Sequence, residues 1–102
     1  MFCYIASERE VIHMKIIGSM EVSNGYEHWK STFMAHEPAR KEAGIETVYT
    51  GMEAQNPNIV HVCLEVESLE AIQAFMSDPE NAKVITESGV KIETQVMIPI
   101  VE

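Results

Sequence analysis

His36 and Arg40 lie four residues apart within residues 24–43, a stretch whose pattern is helical. At that spacing two side chains share a helix face. A guanidinium there can clamp a carboxylate, and an imidazole beside it can move a proton. The same pair also reads as a solvated helix end, with Arg40 paired to Glu37 or Glu42. Its place four residues before Gly44 suits a cation at the negative end of the helix dipole.

A second group falls on strands. His13, Lys15, His61, Cys63 and Glu65 alternate onto what reads as one face of a sheet. A His-His-Glu or His-Cys-Glu set is a conceivable metal site. Alternate residues of one strand, however, stand roughly 6–7 Å apart. The spacing also matches none of the zinc signatures. No metal is expected. The group reads instead as hydrogen-bonding side chains of a pocket, or as polar groups of a dimer interface. Cys63 as a nucleophile needs a lowered pKa and an adjacent base, His61 or His13. A buried, inert thiol is the simpler reading.

Tyr26, Trp29 and Phe33 recur at helical spacing and read as core, with the Tyr26 hydroxyl near the helix start free to enter a cavity. Tyr49 and Met97 are assigned to the same sheet face as His61. Seven methionines suit either an adaptable core or a cavity with room for a flexible apolar ligand. There is no Gly-rich phosphate loop, serine-nucleophile elbow or Cys-x-x-Cys pair, and no cofactor is expected.

These residues need elements to hold them. Residues 11–22 alternate as a first strand, with Ile12, Met14, Ile16, Met20 and Val22 on its more apolar face. A helix follows over 24–43, capped by Asn24, kinked or restarted near Glu37 by Pro38, and stopped by Gly44. Residues 45–52 and 59–66 form a hairpin with a longer loop, Glu53 to Asn58. Ser68 caps a helix through Met76, and Asp78-Pro79 starts another that ends at Gly89. Residues 91–100 form the last strand, with Ile92, Val96, Ile98 and Ile100 on one face. The order β-α-β-β-α-β predicts an α+β, ferredoxin-like sandwich with antiparallel sheet order 4-1-3-2. Its helices cover one face, and the other must meet water or a partner.

The 102 residues make one domain of ordinary size, with residues 1–10 as an N-terminal extension or extra strand. Met14 reads as a natural start of the domain proper. Seven Lys and Arg against 16 Asp and Glu give a net charge of −9, which argues against nucleic acid and against an anionic membrane surface. Two cysteines, far apart, read as reduced thiols of a cytoplasmic protein. No stretch is long and apolar enough to span a bilayer, and the N-terminus lacks the features of a signal peptide.

Several segments resemble the small dimeric α/β-barrel proteins, ferredoxin-like relatives of the antibiotic-biosynthesis monooxygenases, and within them an uncharacterised group. The segments are Tyr26-Glu-His-Trp29-Lys-Ser-Thr-Phe33, His36, Arg40, Ala43-Gly44-Ile45, Asn56-Pro57-Asn58 and Leu64-Glu-Val66-Glu-Ser-Leu-Glu-Ala71. The resemblance implies a homodimer with a ligand cavity between sheet and helices. It implies no single activity, because such proteins include metal-free oxygenases, isomerases, haem-degrading enzymes and proteins of unknown role. The expectation is a homodimer that binds a small, apolar, fatty-acid-like or polyketide-like ligand. The ligand-binding candidates are His13, Lys15, Tyr26, His36, Arg40, Tyr49, His61, Cys63 and Met97. The alternatives are a metal-free monooxygenase or isomerase and a non-catalytic interaction module.

Overall fold

The computed structural model describes residues 14–101. His13, Cys3 and the possible strand near residues 2–6 lie outside the described residues. The elements are β1 (Met14–Glu21), α1 (Tyr26–Ala35), α2 (Glu37–Glu42), β2 (Ile45–Glu53), β3 (Asn56–Val66), α3 (Leu69–Ser77), α4 (Pro79–Glu87), a 3-10 turn (Ile92–Thr94) and β4 (Val96–Ile100). All neighbouring strands run antiparallel, in the order β2-β3-β1-β4. This is the expected ferredoxin-like sheet, with 4-1-3-2 read from its other edge.

Strand alternation builds the core. Ile16 and Met20 of β1, and Val60, Val62, Leu64 and Val66 of β3, are buried beneath the helices. Trp29 of α1, together with Ile72 and Phe75 of α3, closes over them. Burying each such side chain is worth about 1.5–3 kcal/mol.

The helix ends follow the sequence in four of five places. Ser68 Oγ accepts a hydrogen bond from the Ala71 N–H at 3.1 Å, and Asp78 Oδ1 accepts one from the Glu80 N–H at 2.9 Å. Gly44 and Gly89 stop α2 and α4 with φ of 83° and 92°. The exception is Asn24, which does not cap α1. Gly25, at φ 88°, takes the cap position without a side-chain bond, and the helix begins at Tyr26.

Two other expectations are corrected. The β2–β3 hairpin is tighter than a loop over 53–58. Glu53 pairs with Asn56 across Ala54 and Gln55, and Pro57 lies at the start of β3. The last strand is shorter, and its parity is reversed. Met97 pairs with Gly18, while Val96 and Ile98 pair with Ser19 and Ile17. Met97 therefore faces the helices. Val96, Ile98 and Ile100 line the open face and are exposed, whereas Ile92 sits in the 3-10 turn.

Candidate functional site

Thr32, His36 and Arg40 repeat every four residues, beside Trp29 and Phe33. The repeat survives the break between α1 and α2 because His36 ends one helix and opens the next. The Arg40 N–H bonds the His36 carbonyl at 3.4 Å, and Pro38 sits in the first turn of α2, where a missing N–H costs little. One stripe of side chains thus runs unbroken toward the sheet.

The stripe lines a cavity of about 60 Å3 between helices and sheet. Its floor is Met20, Val62, Leu64 and Met97. Ile72, Phe75 and Met76 of α3 and Val84 and Ile85 of α4 close the far side. The polar groups within this apolar lining are Thr32, His36, Arg40, Ser88 and Gln95.

Arg40 is the outlier. It is 3% exposed, and its Nε and Nη2 atoms are buried without a hydrogen-bond partner among the described residues. Its guanidinium carbon lies 3.6 Å from the centre of the Phe33 ring, which stacks on Trp29 at 4.7 Å. Glu37, the nearest expected partner, pairs with Lys41 at 3.6 Å instead. The solvated helix end is thereby excluded. Burial pushes the guanidinium below its ordinary value, down to about 10, against the opposing charge of Glu37. The group is still a cation at neutral pH. Nε and Nη2 form one edge of the planar fork, the edge that meets both oxygens of a carboxylate.

His36 is held by α4. Its Nε2 lies 2.8 Å from Asn81 Oδ1, and Asn81 Nδ2 donates to the Phe75 carbonyl at 3.1 Å. That carbonyl fixes which way the Asn81 amide points, so Asn81 presents an acceptor to His36. Nε2 therefore carries the proton. The imidazole also packs on Phe75, ring centres 5.3 Å apart.

The structure brings His36, Arg40 and Met97 into one cavity and places the other described candidates elsewhere. Tyr26 turns its hydroxyl to Thr50 Oγ1 at 3.0 Å and does not line the cavity. Lys15, Tyr49, His61 and Cys63 belong to the opposite face of the sheet. There Lys15 approaches Glu65 at 4.0 Å, His61 bonds Glu53 at 2.8 Å, and Cys63 is a buried thiol between Ile17 and Tyr49. Among the described residues no three His, Cys, Asp or Glu side chains converge as a metal set. Sequence reasoning missed Thr32 and Asn81. The four-residue spacing marks Thr32, but Asn81 is 45 residues from His36 and carries no such sign.

Residues 12–101 match the family described as Domain of unknown function (DUF3764). No curated protein matches the sequence. Solved structures share the fold. An antibiotic biosynthesis monooxygenase-like protein from Bordetella bronchiseptica aligns with a TM-score of 0.72 at 17% identity, over 87% of this chain and 95% of that one. A second, from Chloroflexus aurantiacus J-10-fl, gives 0.65 at 17% identity over 88% and 92%. A nipsnap family protein with unknown function from Agrobacterium tumefaciens str. C58 gives 0.65 at 14% over 91% and 90%. At these identities the likeness shows the fold alone. Among the described residues no helix is long and apolar enough to cross a membrane.

Proposed function

This chain belongs to the DUF3764 family, and from the geometry of Arg40 we propose that it binds a small carboxylic acid with an apolar body. The observation that carries this reading is the unpaired Nε/Nη2 edge of a buried guanidinium in an apolar cavity. Each buried donor without a partner costs about 1–3 kcal/mol, and more when charged. The Phe33 contact returns about 2 kcal/mol. A carboxylate on the free edge supplies two charge-assisted bonds and cancels the charge. A phosphate dianion would instead leave a net negative charge in an apolar site.

Size narrows the ligand. An apolar cavity of about 150 Å3 takes a benzene ring. A cavity of about 60 Å3 suits a body of roughly two to four carbons. A long acyl chain requires Met20, Met76 and Met97 to move aside, which their flexible thioethers permit.

Isothermal titration with butyrate and its uncharged isostere butyramide tests the reading. Saturable binding of butyrate alone, lost in Arg40→Gln, is the expected result. Equal behaviour of both compounds, or unchanged butyrate binding in Arg40→Gln, would overturn it.

A second reading concerns the open sheet face, where Val96, Ile98 and Ile100 stand exposed in a row beside Ile17. Exposed apolar rows of this kind favour self-association, and a second copy sheet to sheet would bury them.

A further inference from the structure

Resting on the acid-binding reading, we infer that the cavity selects acids carrying a hydroxyl group near the carboxylate, and that His36 is the residue that reads it. The Asn81 amide holds His36 with its proton on Nε2. In the neutral imidazole Nδ1 is then a lone-pair acceptor, and no hydrogen bond to it is formed among the described residues. His36 and Arg40 line the same cavity, and the backbone bond between them keeps helical spacing. At that spacing their Cβ atoms stand about 5–6 Å apart on one face. The site therefore offers a two-donor cationic fork and, one helical turn away, a neutral acceptor.

The complement of that pair is an anion with a nearby donor. An ammonium group also donates, but it would place a second positive charge beside Arg40 inside an apolar lining, which is costly. An amide donor brings a carbonyl that needs its own partner. A hydroxyl adds one donor, no charge and little bulk, so 2- and 3-hydroxy acids match both groups at once. The remaining polar groups do not replace His36 in this role. The Ser88 hydroxyl is already donated to the Ile85 carbonyl, and Thr32 and Gln95 can donate as readily as they accept.

The test compares butyrate, 2-hydroxybutyrate, 3-hydroxybutyrate and 2-aminobutyrate by isothermal titration on the wild-type protein and on His36→Leu. One of the two hydroxy acids binds about tenfold tighter than butyrate, the size of one well-placed hydrogen bond. The amino acid binds more weakly than butyrate. In His36→Leu the hydroxyl advantage, taken as the ratio of hydroxy-acid to butyrate affinity within the same protein, falls below about twofold. Equal affinities for butyrate and both hydroxy acids would overturn the inference and leave the acid reading standing. So would a hydroxyl advantage that persists in His36→Leu. Failure of butyrate itself to bind removes the acid reading and this inference with it. If His36→Leu does not fold, nitrogen-15 NMR of the wild-type imidazole decides. Nδ1 must be the unprotonated nitrogen, and its signal must move with the hydroxy acid but not with butyrate.

Discussion

The Arg40 guanidinium carbon lies 3.6 Å from the centre of the Phe33 ring, closer than the two rings of any aromatic pair among the described residues. Phe33 thus covers one broad face of the cation and leaves its buried Nε/Nη2 edge without a hydrogen bond. A ring face accepts the charge but forms no N–H···O bond, so the contact compensates only part of what burial costs.

Removing the charge should therefore stabilise the fold. Arg40→Met keeps the aliphatic bulk, discards two unpaired donors and loses the Phe33 contact. The balance is a gain of about 1 kcal/mol, which raises Tm by about 4–8 °C in a domain of this size. Butyrate binding disappears in the same variant. Calorimetric melting checks the first statement, and a variant that melts well below wild type would show that Arg40 is structural.

The pH dependence has a defined sign. Burial lowers the guanidinium from its ordinary value to about 10 in the fold. Between those values the unfolded chain binds more protons, so this group's contribution to stability rises with pH. Anion affinity runs the other way, because it needs the charged form. Butyrate affinity holds level from pH 7 to about 9 and then falls through pH 10, approaching tenfold per pH unit. Titrations at successive pH values up to 11 measure it.

Gly18 packs directly against the floor of the cavity. A Cβ added there would sit 2.6 Å from Met97 Sδ and 3.3 Å from Val62 Cγ1. The Met97 thioether must shift, and it forms part of the cavity floor. Gly18→Ala should cost about 1–2 kcal/mol in stability. It should also weaken butyrate binding severalfold, as read by denaturant melts and titration together. A variant with unchanged affinity would place the ligand away from Met97.

The open face has its own test. Ile98 is 52% exposed between the equally apolar Val96 and Ile100. Ile98→Lys should convert a dimer to a monomer in light scattering and leave butyrate binding intact, because the cavity lies on the opposite side of the sheet. A wild-type protein that scatters as a monomer ends the self-association reading.

Much of this was legible in the sequence, for identifiable reasons. In β1 and β3 only one parity is uniformly apolar, and a strand with one core face writes that face as alternation. Ser68 and Asp78 cap helices through bonds to residues two or three places ahead, within reach of local reasoning. β4 misleads because its residues on both faces are apolar. Val96, Ile98 and Ile100 alternate cleanly but toward the open side, and alternation alone does not say which side that is. Arg40 and His36 could be paired by spacing. The burial of one and the tautomer of the other could not, since both depend on α3 and α4 closing from more than 30 residues away.

The stack Trp29–Phe33–Arg40 has a practical corollary. Trp29 is the only tryptophan in the chain, it is 2% exposed, and it rests on the same ring that contacts the guanidinium. Its indole emission comes from a single chromophore one ring away from the charge that a carboxylate would neutralise. The protein carries a built-in optical reporter beside the Arg40 guanidinium, and a compound library can be screened by the native fluorescence of unlabelled material.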